Sequence, residues 1–176
     1  MLRRLVGSEM CIRDRGTGQR IFFFLQAVLM ATATGTHALV ARAIGGNKPI
    51  EAAEVTLLST IVAIIFGVSS TLIFFIAGDE IIGAFGLDEL SQKLAVEYLQ
   101  ISLSFVPGLA ILFIVGAALR AAGDVITPLI INLIVNVINV FLLIALVNGQ
   151  FGVEAMAVVG AAYAWGISFS IGAVLA

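Results

Sequence analysis

Charge is scarce in this chain. Only 11% of its 176 residues are Asp, Glu, Lys or Arg, 61% are hydrophobic, and mean hydropathy is +1.15. A soluble domain carries about 25% charge, so no water-facing surface can be built from this composition and a soluble globular fold is excluded. With three prolines there are no Pro-rich linkers, and with one histidine and one cysteine there is no Cys/His metal-ligand set. No run alternates apolar and polar residues between turn signals, which argues against a transmembrane barrel. No acid pair lies within an apolar run and no nucleophile stands beside a base, so nothing points to an enzyme.

What is present is apolar length. Five runs, at residues 21–44, 55–77, 96–119, 128–147 and 155–176, succeed one another to the C-terminus. A bilayer core takes roughly 20 apolar residues in helical form. Lipid offers no partner to an unpaired backbone group, so such runs must be helices packed together. The sequence therefore predicts an all-α, polytopic helical membrane bundle with five transmembrane helices, here called spans A to E, and no loop long enough for an extramembrane domain.

The connections carry ordinary helix punctuation. Gly45 ends span A, and Pro49 opens the next helix at its first turn. Glu51 and Glu54 come next, where acids favour the helix dipole. Residues 78–93 mix apolar and acidic side chains and predict a short interfacial helix. Residues 120–124 form the C–D loop, Thr127-Pro128 opens span D, and residues 148–152 form the D–E loop. Arg42-Ala-Ile-Gly45 and Arg120-Ala-Ala-Gly123 share a form, read as a basic residue near a helix end and then a glycine cap. Arg42, Lys48 and Arg120 outnumber Arg20 and Lys93, a small bias that places the A–B and C–D loops in the cytoplasm.

The N-terminal residues do not match the rest of the chain. VGSEMCIRDR, Val6 to Arg15, resembles a translated sequencing adapter. Read in frame, GTG GGC TCG GAG ATG TGT ATA AGA GAC AG encodes it, the common transposase adapter of shotgun libraries, and Leu5 fits the preceding CTC. Residues 1–15 are accordingly expected to be an assembly scar outside the fold, with residues 16–176 the genuine segment. Without Arg3, Arg4, Arg13, Arg15, Glu9 and Asp14, five basic residues face nine acidic ones, a net charge of −4. Cys11 goes too, so no redox argument remains, and no basic patch is left for nucleic acid. The apolar run at Ala176 predicts an internal piece of a longer transporter gene.

The polar content of the spans is amide and hydroxyl. Asn132, Asn136 and Asn139 in span D share one helical face by their spacing. A buried amide without a partner is costly, so that face turns to a wet cavity, where it lines a substrate path, or to other helices, where it serves as hydrogen-bonded glue. In span A, Gln26 and Thr34 are further candidates for cavity lining; Thr32, Thr34 and Thr36 can also bond back to their own helix. His37 lies close to Arg42 and reads as a headgroup-level residue rather than a proton relay. Pro107-Gly108 in span C predicts a kink, either a hinge between access states or a static bend. Gly160, Gly166 and Gly172 in span E allow close helix contact.

Three motifs resemble the multidrug and toxic compound extrusion (MATE) family. Ala38-Leu-Val-Ala-Arg-Ala-Ile-Gly45, with Asn47, Lys48 and Glu51-Ala-Ala, is similar to that family's exit from its second helix. Ala118-Leu-Arg-Ala-Ala-Gly-Asp124 with Thr127-Pro128 is similar to its loop between helices four and five. Asn136-Val-Ile-Asn-Val-Phe-Leu-Leu-Ile144, then Gly149 and Val158-Val-Gly-Ala-Ala162, is similar to its fifth helix, outer loop and sixth helix. The resemblance implies that spans A to E are helices two to six of a six-helix N-terminal lobe, with helix one and a C-terminal lobe missing. It implies a multi-pass plasma (inner) membrane antiporter that works by alternating access, exchanges amphiphilic small molecules for H+ or Na+, and needs no cofactor beyond that ion. Its partners are membrane lipid, the substrate and the missing parts of the same protein. Val140 stands where many members have Asp or Asn, and Glu154 where a Pro is common. Span D is therefore expected to line a cavity rather than to bind a cation.

Two rival readings stand beside this one. A lipid-linked oligosaccharide flippase of the same superfamily would carry more cationic residues in its cavity, and no Lys or Arg lies mid-span here. A non-transporting membrane scaffold would seal Asn132, Asn136 and Asn139 between helices with no cavity beside them.

Overall fold

A computed structural model describes the backbone of residues 2–84, 89–148 and 157–176, and within these ranges the side chains from residue 22 onward except 90, 91, 148, 157 and 158. It holds six helices, in chain order: α1 (Leu2–Gly45), α2 (Pro49–Gly83), α3 (Glu89–Ser104), α4 (Val106–Ala121), α5 (Ile126–Asn148) and α6 (Ala157–Leu175). Phe22–Gly45 of α1, all of α2, and Ile126–Val147 of α5 are each long and apolar enough to cross a membrane. The pair α3 and α4 qualifies as one span bent by 46°, and α6 supplies a shorter apolar helix, Val159–Leu175. The chain is an all-α polytopic membrane bundle with up to five apolar spans.

Span C is thus two helices rather than one kinked helix. Phe105 separates them, its N–H bonded to the Ser102 carbonyl at 3.2 Å in a tight turn, and Pro107 stands in the first turn of α4. The interfacial helix expected over residues 78–93 does not form as a separate element among the described residues. α2 runs on through Gly83 and α3 starts at Glu89, because the apolar residues there, Ile82 among them, are buried against the bundle instead of lying on a membrane surface. Residues 85–88, the D–E loop beyond Asn148, and Glu154 lie outside the described residues.

The ends of α1 and α4 are built alike. Lys48 N bonds Ala43 O and Asn47 N bonds Ile44 O; Asp124 N bonds Leu119 O and Gly123 N bonds Arg120 O, each at 2.9 to 3.1 Å. This paired pattern closes a helix on a residue in the left-handed region. That residue is Asn47 (φ 56) in one case and Gly123 (φ 94) in the other. The parallel drawn from Arg42…Gly45 and Arg120…Gly123 is therefore out of register. Gly45 is still helical, and the counterpart of Arg120 is Ile44, because the hydrogen-bond ring sets the cap and the glycine does not. Val40, Ala43, Ala52 and Ala118 pack as one cluster, which brings the α1–α2 and α4–α5 loops to the same end of the bundle.

α4 is the central helix. Leu109, Ala110, Ile114 and Ala117 are buried against Leu29 and Ala33 of α1, Ala63 and Phe74 of α2, and Leu99 and Leu103 of α3. Leu57, Leu58, Ile61, Ile65, Leu72 and Ile76 of α2 are exposed, as a face turned to lipid requires. Small residues set the close approaches. At Gly67 a β-carbon would lie 3.3 Å from Pro107 N, and at Gly166 the Phe105 ring fills the space a β-carbon would need.

Candidate functional site

α5 lies along α6, meets α4 at few points, and makes no close backbone approach to α1 among the described residues. α4 therefore floors an open groove between α1 and α5 that holds a cavity of about 270 Å³. α1 lines it with Met30, Ala33, Thr34 and His37, four positions that share one helical face. α4 contributes Leu112, Phe113, Ala117 and Arg120, and α5 contributes Asn132.

Thr34 and Asn132, 98 positions apart in the chain, are brought together here. The Thr34 hydroxyl donates to the Met30 carbonyl at 2.8 Å, so towards the cavity it offers only an acceptor oxygen. Thr32 and Thr36 bond back in the same way, to Val28 and Thr32. Asn132 Nδ2 donates to Pro128 O at 2.8 Å and Asn136 Nδ2 to Asn132 O at 2.7 Å. Each amide thus keeps its oxygen and a second N–H for a partner outside its own helix.

The other candidates stand apart. Asn136 is exposed one turn along α5, while Asn139 and Gln26 are half-buried; none of the three lines the cavity. Neither Asn132 nor Asn136 is sealed between helices. Pro107 and Gly108 sit at the α3–α4 bend, Pro107 facing Gly67 and Gly108 facing Ser170.

Two lining residues were passed over in the sequence. Arg120 read as a loop charge and His37 as a headgroup-level residue. Arg120 folds back along α4, with Nη1 3.3 Å from where a β-carbon on Gly116 would stand. The Gly116…Arg120 spacing of one turn was the available signal. Among the described residues no carboxylate lines the cavity. The nearest acid in sequence, Asp124, is engaged in capping α5: its Oδ1 accepts from Ile126 N at 3.1 Å and Thr127 N at 3.0 Å. Hydrogen bonding by the Thr127 side chain, then by the Thr127 backbone, holds this carboxyl below its ordinary value. Among the described residues no three His, Cys, Asp or Glu side chains converge as a metal site would require.

Comparisons with known proteins agree with this architecture. The MatE family profile matches residues 16–145, starting at the residue after Arg15. A probable multidrug resistance protein NorM of Thermotoga maritima is 35% identical over 90% of this chain and 34% of its own length. Among solved structures, the inward-facing conformation of a multidrug resistance MATE family transporter of the MOP superfamily superposes with a TM-score of 0.78 and 26% identity, over 88% of this chain and 34% of that one. An outward-facing conformation of such a transporter superposes at 0.84 with 24% identity, over 92% and 35%. The chain spans about a third of the length of these relatives. With most of its residues covered by the profile, the chain belongs to the MatE (MATE) family, whose members are transporters and not enzymes.

Proposed function

We propose that this chain is helices two to six of the N-terminal lobe of a multidrug antiporter in the plasma (inner) membrane. In this reading it is coupled to H+ or Na+ and works by alternating access, with residues 1–15 an adapter-encoded tail. The observation that carries the proposal is the groove between α1 and α5. It is open and polar on both walls, at Thr34 and Asn132, and floored by apolar α4 side chains, which suits an amphiphile. The relative named for multidrug resistance and the solved inward- and outward-facing transporters support export by alternating access. The start of the family match at residue 16 supports the tail assignment. Asn136 and Asn139, continuing the Asn132 face along α5, and Gln26 on α1 would extend the lining towards the missing helix one and C-terminal lobe. The bend at Pro107 and Gly108 would be the flexing point.

The test is efflux from cells carrying the full-length gene. Replacing Asn132 and Asn136 together by Leu abolishes drug efflux while the protein still reaches the membrane. Unchanged efflux removes the cavity-lining role.

A further inference from the structure

Arg120 is the charged side chain that lines the groove among the described residues; His37 lines it too, and no Asp or Glu among those residues does. Arg120 has no carboxylate within ion-pair distance among the described residues, whose ion pair is Lys48–Glu51 at the α1–α2 connection. Asp124, four residues on, is turned to the start of α5. The exposed guanidinium lies over Gly116, its Nη1 3.3 Å from where a β-carbon there would stand. The second N–H of Asn132 is a further donor to the same space. Next to these donors stand Met30, Leu112 and Phe113, an apolar wall.

We propose that this groove takes the head of an anionic amphiphile, a phosphate or carboxylate held by Arg120 with His37 and Asn132, with its apolar body along α4. The inference rests on the transport reading above and narrows its substrate class. A guanidinium presents a fork of donors that fits such a group in two-point geometry. The same chemistry describes a bilayer phospholipid and a soluble anionic cargo.

The experiment uses the full-length transporter in phosphatidylcholine nanodiscs, with dodecyl phosphate as the probe and dodecyltrimethylammonium and dodecyl maltoside as charge controls. Dodecyl phosphate binds and raises the Tm, and the two controls do so less. Arg120→Gln weakens dodecyl phosphate binding about tenfold or more and leaves maltoside binding unchanged. Arg120→Lys retains part of the affinity. Phosphatidylglycerol in the disc competes if the head belongs to a bilayer lipid; absence of competition assigns it to a soluble cargo. Equal binding of dodecyl phosphate to wild type and Arg120→Gln overturns the inference, as does a wild-type preference for the trimethylammonium probe, which needs no variant to be measured. If either occurs while Asn132→Leu with Asn136→Leu still abolishes efflux, the anion inference falls and the transport reading stands.

Discussion

The Thr71 hydroxyl on α2 lies 2.8 Å from the Leu103 carbonyl at the end of α3, the carbonyl that Pro107 leaves without a helical donor. In an unbroken helix residue 107 would donate its N–H to residue 103. Proline has none, and at this depth no water replaces it. The same hydroxyl lies 2.9 Å from Gly67 O, so one proton serves a carbonyl of its own helix and one of its neighbour. Gly67 makes this possible by letting α2 come up against Pro107 without a side chain between them.

Thr71→Val is therefore expected to destabilise the protein by about 1–3 kcal/mol, the cost of an unsatisfied buried carbonyl. In a Pro107→Ala background, residue 107 regains its N–H and the loss shrinks. Thermal unfolding of the four proteins in detergent gives a coupling energy of about 1 kcal/mol; simple additivity would show that the two residues do not share the carbonyl.

Phe105 and Gly166 form a second lock at the bend. The ring occupies the volume of the missing β-carbon, so Gly166→Ala forces it out and costs about 1–3 kcal/mol. Phe105→Leu in the same chain recovers part of that loss. Melting temperatures of the single and double variants decide the matter, and a Gly166→Ala protein as stable as wild type would contradict the packing.

Gly123, with φ 94, closes α4 in a conformation that costs an L-residue about 1–2 kcal/mol. Gly123→Ala should lower stability by that amount. Asn47→Gly, at the corresponding position of the first loop (φ 56), should be neutral or slightly favourable, since Asn already tolerates this region. Equal losses at both sites would argue against the shared cap.

Asp124 has a carboxyl pKa lowered in the folded state by hydrogen bonding from Thr127 and, in smaller part, Ile126. The unfolded chain then binds the proton more readily than the folded one, so stability rises with pH. The contribution is complete above the ordinary carboxylate pKa and disappears as pH falls through the lowered one. Unfolding measured in steps from neutral pH into the acid range should show wild type losing more stability than Asp124→Ala across that window; parallel curves would remove the capping role.

The legible and illegible parts of this chain divide along a physical line. Four of the five apolar runs became single helices: α5 and α6 lie within two residues of expectation at each end, α2 extends six residues beyond it at each end, and α1 starts at Leu2 instead of residue 21. Pro107 announced a bend, yet the spacing of residues along span C did not show that Phe105 would leave both helices altogether. That depends on Gly67 and Gly166 admitting Pro107 and the Phe105 ring from two neighbouring helices. The cap at Asn47 was misplaced to Gly45, because a glycine can end a helix but does not oblige it to end there.

Sequence alone determined that this is a polytopic helical membrane bundle. Lipid thickness and the need to satisfy every backbone group leave an apolar run of about 20 residues no other fold. It also determined which residues share a face, since helical periodicity is local. Only the tertiary structure decided what each face meets. α5 leans on α6 and away from α1, so of three asparagines in register only Asn132 reaches the cavity, while Arg120, which looked like a loop charge, folds over Gly116 into it. The direction in which a helix leans is set by the summed packing of its neighbours, here Gly172 admitting Val135 of α5, and no run of residues carries that sum by itself.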